Sequence, residues 1–68
     1  MMTKEMIDKY PELKNWLFVC GDGFENSARE YVDWSPRRPF VVTLDGGFTI
    51  EELRAIANLM EEANAEIE

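Results

Sequence analysis

Cys20 stands immediately before Gly-Asp-Gly, where a thiol beside a backbone turn could serve as a nucleophile. Attack by sulfur needs the thiolate, and a base or a cationic neighbour to generate it. The chain has no histidine, so the usual base is missing, and Cys20 reads as a small buried apolar strand residue. Carboxylates are the other chemistry-bearing groups. Glu51 with Glu52, and Glu61 with Glu62, are adjacent pairs, and neighbouring helix residues project about 100° apart, so neither pair makes a shared acid and base site. No enzymatic activity, catalytic residue or cofactor is expected.

"DGGFTIEEL" resembles the second half of a calcium-binding EF loop, with Asp45 as the middle ligand, Gly46 at the turn and Glu52 as the bidentate end. Counting back places Val41 and Thr43 at the first two ligand positions, in a strand, and calcium needs oxygen donors from that half. The stretch is better explained as a turn and a helix cap. A zinc set is equally poor, because Cys20 is the only thiol. No metal is expected.

Two further groups bear on partners. "PRRP", Pro36 to Pro39, is a minimal PxxP, but a proline-braced loop accounts for it more simply. Within it Arg37 and Arg38 form a local anchor for a carboxylate, on a partner or on this chain. Trp34 beside the loop is either core, the commoner outcome, or an exposed interface anchor.

At 68 residues the chain has room for one domain, spanning 1–68, with a thin core. Good packing or association with another chain must stabilise it, since no disulfide can form within one molecule. The lone cysteine and the acids in "MMTKEMID" favour a reducing cytoplasm over secretion. The longest apolar run, "WLFVC", is far short of the ~20 residues that cross a bilayer. A net charge of −7 repels phosphate backbones and anionic lipids, so direct binding of nucleic acid or membrane is disfavoured.

The elements that must carry these residues begin with "FTIEELRAIANLMEEA". Thr49 caps a helix with Glu52 answering it, and Phe48 outside the cap can pack on Leu53. Ile50, Leu53, Ile56, Ala57, Met60, Ala63 and Ile67 then form one apolar stripe. Phe40 to Leu44 reads as a strand, with Glu30 to Trp34 and Trp16 to Cys20 as two more. "GDGFENSA" and "SPRRP" read as loops. Met2, Met6, Tyr10, Leu13 and Leu17 follow a second helical stripe, predicting a short helix over Thr3 to Tyr10 with Pro11 opening a further turn. The expected fold is α+β: a small three-stranded antiparallel sheet, a C-terminal amphipathic helix packed on it, and a short N-terminal helix. Apolar residues point both ways from "WLFVC", so the second sheet face also needs a cover.

Glu51, Glu62 and Glu66 fall opposite the apolar stripe, with Glu61 at the edge. From Glu51 onward six glutamates face Arg54 alone, although a helix C-terminus favours cations. A solvated, frayed end explains this at ~0.3 to 1 kcal/mol per charge. A partner with a basic surface explains it as well, by turning the cost into attraction.

Leu44, Asp45, Gly46, Phe48, Thr49, Glu51, Glu52, Leu53, Ala55 and Ile56 together resemble a strand, Asp-Gly turn and helix module of small phage and prophage proteins. The resemblance covers about a third of the chain and implies origin only. It raises the expectation of an inhibitor of the anti-CRISPR kind, presenting acids to a nucleic-acid-binding host protein. Glu51, Glu61, Glu62, Glu66, Arg37, Arg38 and Trp34 are the expected partner-binding residues. The competing expectation is a self-associating homodimer whose acids keep it soluble.

Overall fold

The computed structural model describes residues 2–26 and 31–67, with side chains as far as residue 65. In chain order the elements are α1 (Lys4–Asp8), β1 (Leu17–Cys20), β2 (Gly23–Asn26), β3 (Tyr31–Trp34), β4 (Thr43–Asp45) and α2 (Ile50–Ile67). The strands form one antiparallel sheet in the order β1-β2-β3-β4. The fold is therefore α+β as expected, but its sheet has four strands where three were predicted.

The additional strand, β2, is Gly23–Asn26, inside the stretch whose residues read as a loop. Gly21 and Asp22 are a two-residue hairpin loop closing Cys20 onto Gly23. Gly21 has φ +59° while Asp22 does not have positive φ, the pattern of a type II′ turn, which matches strand twist. Gly23 is a glycine for a different reason. A Cβ there would lie 1.9 Å from the Trp34 carbonyl oxygen, a backbone atom that cannot swing aside.

β4 is shorter than the predicted Phe40 to Leu44, because turns at Ser35–Arg38 and Arg38–Val41 hold the preceding chain away from the ladder. The Pro39 carbonyl in that segment accepts hydrogen bonds from Trp34 Nε1 at 3.2 Å and Asn64 Nδ2 at 2.7 Å. This acceptor ties the loop to both the core and α2. The predicted start of β3 at Glu30 lies outside the described residues.

Both helices begin on side-chain caps. Thr3 Oγ1 accepts from the Met6 amide at 3.3 Å, and α1 is shorter than Thr3 to Tyr10. From Pro11 the chain continues in helical turns, with Lys14 N bonding Tyr10 O and Leu17 N bonding Leu13 O. At α2 the expected capping box closes: Glu52 N donates to Thr49 Oγ1 at 3.0 Å, and Thr49 N donates to Glu52 Oε1 at 2.8 Å. Phe48 turns its ring toward Trp16, at 6.1 Å between centroids.

A single apolar cluster joins these elements. Leu17, Phe24, Val32 and Trp34 from the sheet meet Met2, Met6, Ile7 and Leu13 from the N-terminal segment and Ala55, Ile56, Leu59 and Ala63 from α2. Phe24 and Trp34 stack at 5.3 Å at its centre. Two expectations change here. The buried stripe of α2 is rotated from the predicted one, leaving Ile50 64% and Leu53 43% exposed. The N-terminal segment joins this same core and does not cover the second sheet face, where Phe18, Cys20, Tyr31 and Asp33 remain exposed. No helix among the described residues is long and apolar enough to cross a membrane.

Gly23→Ala should destabilise the fold by about 1–3 kcal/mol, the cost of forcing extra volume into a filled site. Denaturant unfolding checks this, with Gly47→Ala as control because a Cβ there meets nothing within 4 Å.

Candidate functional site

The sheet's open face is set by strand alternation. On β3, Val32 and Trp34 point into the core, so Tyr31 and Asp33 point outward. Registered pairs then place Phe18, Glu25, Asp33 and Thr43 in one row across all four strands. Cys20 opposite Gly23 and Tyr31 opposite Asp45 flank this row. No lysine or arginine occupies any of these strand positions.

Three carboxylates, Glu25, Asp33 and Asp45, thus share a face with two exposed aromatic rings. Phe18 is 40% exposed and Tyr31 50%. Tyr31 donates its hydroxyl hydrogen to Asp33 Oδ2 at 3.2 Å. The Asp33 charge, then that hydrogen bond, raise the Tyr31 pKa. Cys20 is exposed on this face and not buried as the sequence suggested. Its pKa is raised first by the Glu25 charge, with burial, a Glu25 hydrogen bond and Asp33 adding to it. A thiol held protonated in this way is the reverse of an activated nucleophile.

Glu25 and Asp33 are direct cross-strand partners. Like charges opposite each other in a sheet are destabilising, and the pair leaves the face strongly anionic. Sequence reasoning passed over this surface. The alternation of "YVDW" points Tyr31 and Asp33 to one side, and a Gly-Asp pair between "WLFVC" and "GFEN" is a hairpin signal.

The predicted partner residues are scattered by the fold. Trp34 is 2% exposed and stacked on Phe24, so it is core and offers no anchor to a partner. Arg37 and Arg38 are exposed on the loop after β3, and the Arg37 amide bonds Ser35 Oγ at 3.2 Å. Glu51 and Glu61 are exposed on α2. Glu62 is engaged within the chain, accepting from Lys9 Nζ and, at 3.1 Å, from the Tyr10 hydroxyl. This clasp binds the end of the N-terminal segment to α2. The Glu66 side chain lies outside the described residues.

No group of three or more histidine, cysteine or acidic side chains among the described residues is arranged to hold a metal ion. Glu52, the EF-like end ligand, is 7% exposed and turned to the Thr49 amide. Concave regions among the described residues flank the core on both sides. One, of about 330 Å³, lies between α1 and β1 beside Lys4, Asp8 and Lys14. The other, of about 400 Å³, runs between α2 and the segment from Pro39 to Leu44 and is mainly apolar.

The Lys9 hydrogen bond, followed by that from Tyr10, lowers the Glu62 pKa, with burial opposing them. A carboxylate with a lowered folded pKa contributes stability above its unfolded value, near 4.5, and loses it as pH falls through the folded value. Glu62→Gln should therefore flatten this acid-side decline and reduce stability at pH 7 by about 0.2–1 kcal/mol. Unfolding curves from pH 7 to 3 check it, and identical acid sensitivity in both proteins would contradict the clasp. In comparisons with known proteins, no family model, no curated protein and no solved structure matches the chain.

Proposed function

We propose that this chain is a small acidic protein-binding module without catalysis. Its open sheet face occupies a basic, nucleic-acid-handling surface of another protein, in the manner of a phage-type inhibitor. The observation that carries this reading is the Glu25–Asp33 pair on a face that no other described element covers. A fold that needed only solubility would have no use for two carboxylates at directly opposed positions, where each weakens the sheet. A cationic counterpart changes the sign of that term, since the same field that repels within the sheet attracts a lysine- or arginine-rich surface.

The flanking aromatics suit such a partner. Phe18 and Tyr31 offer ring faces to arginine guanidinium groups as well as apolar area. Occupation of a basic surface by carboxylates excludes phosphate backbones from it, which is the inhibitory step. Glu51 and Glu61 on α2 extend the field away from the sheet, whereas Glu62 is already matched by Lys9. The sheet face holds its acids on strands, which suits preorganised binding.

The double substitution Glu25→Gln with Asp33→Asn separates function from stability. It should raise folding stability by about 0.2–1 kcal/mol by relieving the cross-strand repulsion. It should also weaken a partner captured from lysate by at least about tenfold. In the same assay nucleic acid should compete with the chain for that partner, and added salt should weaken the complex. A complex indifferent to the substitutions, to salt and to nucleic acid would exclude this reading.

A further inference from the structure

We propose that α2 pairs antiparallel with α2 of a second copy of this chain, across the apolar groove on the β4 side. This goes beyond the binding role of the sheet face and does not rest on it. The first observation is a helical seam that the core uses only in part, through Met60. The core takes Ala55, Ile56, Leu59 and Ala63. Beside that stripe, Ile50, Leu53, Ala57, Met60 and Asn64 recur at alternating spacings of three and four, the pattern of a helix that buries one edge against another helix. Ile50 and Leu53 are 64% and 43% exposed.

Opposite the seam, the groove's second wall is Phe40, Val42 and Leu44. Phe40 is 85% exposed. The groove and the projecting ring therefore lie side by side on one surface, and a two-fold axis can seat each copy's ring against the other's seam. From Ile50 to Asn64 the seam runs about 21 Å, enough for a helix pair of four turns.

Charge selects the second copy as the occupant and sets its direction. Arg54 and Glu61 follow seam residues Leu53 and Met60, seven residues apart on one flank of α2. Among the described residues neither forms an ion pair. A two-fold axis normal to a pair of antiparallel helices keeps the same flank of each on the same side. With the axis passing near Ala57, Arg54 of each copy stands level with Glu61 of the other, giving two ion pairs from one contact. Ala57, the smallest seam residue, then lies where the backbones come closest. The acids that would repel a second copy are directed elsewhere, Glu25, Asp33 and Asp45 onto the sheet face and Glu62 toward Lys9.

Sedimentation equilibrium of the full chain, with circular dichroism to confirm folding, tests the proposal without any other partner. The wild-type chain should show twice its monomer mass at about 100 µM, and Leu53→Glu should return it to the monomer mass. Arg54→Glu and Glu61→Arg should each weaken association by about tenfold, and the two together should restore it. A wild-type chain that stays monomeric at that concentration overturns the proposal and leaves the groove to a foreign helix. Failure of the paired charge reversal to restore association, in variants that remain folded, overturns the antiparallel arrangement.

Discussion

The structure depends on one apolar layer, between the inner face of the sheet and the two helices with the turns that follow α1. Phe24 and Trp34 stack at its centre, and Gly23 lets the Trp34 backbone approach closely enough for that stack to form. α1, the turns after it and α2 all pack into the same cluster. A chain of 68 residues has too little apolar surface to build a second layer. The outer sheet face and the β4 flank of α2 are exposed as a direct consequence. Both surfaces to which a binding role is assigned are therefore what remains after a one-sided core is made.

The acids divide in the same way. Glu52 closes the helix cap and Glu62 holds the N-terminal segment, so both are committed to folding. Glu25 and Asp33 bond exposed neighbours on their own face, Cys20 and Tyr31, while standing directly opposite each other, an arrangement that disfavours the strands that bear them. Net charge alone does not separate these roles. Two carboxylates near each other on a helix can differ in function because one has found a lysine and a tyrosine within reach, while its neighbour Glu61 faces water.

Much of the local structure was legible in the residues. Thr49 and Glu52 mark the start of α2 through a capping box that needs no tertiary information, and β1 and the core of β3 follow from β-branched and aromatic runs. β2 was hidden because glycine and aspartate in "GDG" signal a turn equally well in a loop and in a two-residue hairpin, and Glu25 and Asn26 lack strand character. The orientation of α2 was harder still. Ile50, Leu53, Ala55, Ile56, Ala57, Leu59, Met60 and Ala63 cover more than half its circumference, so periodicity could not say which arc faces the sheet. Packing chose the arc centred on Ile56 and Leu59. For the site, the opposition of Glu25 and Asp33 depends on strand register, which appears only once β2 is recognised.

The most direct test of the one-sided core compares two phenylalanines on neighbouring strands, Phe24 facing inward and Phe18 facing outward. Each is changed to alanine and unfolding free energy is measured in denaturant. The account predicts a loss of about 3–5 kcal/mol for Phe24→Ala and no more than about a third of that for Phe18→Ala. Equal losses would mean that the outer face is packed as tightly as the inner one, and would contradict it.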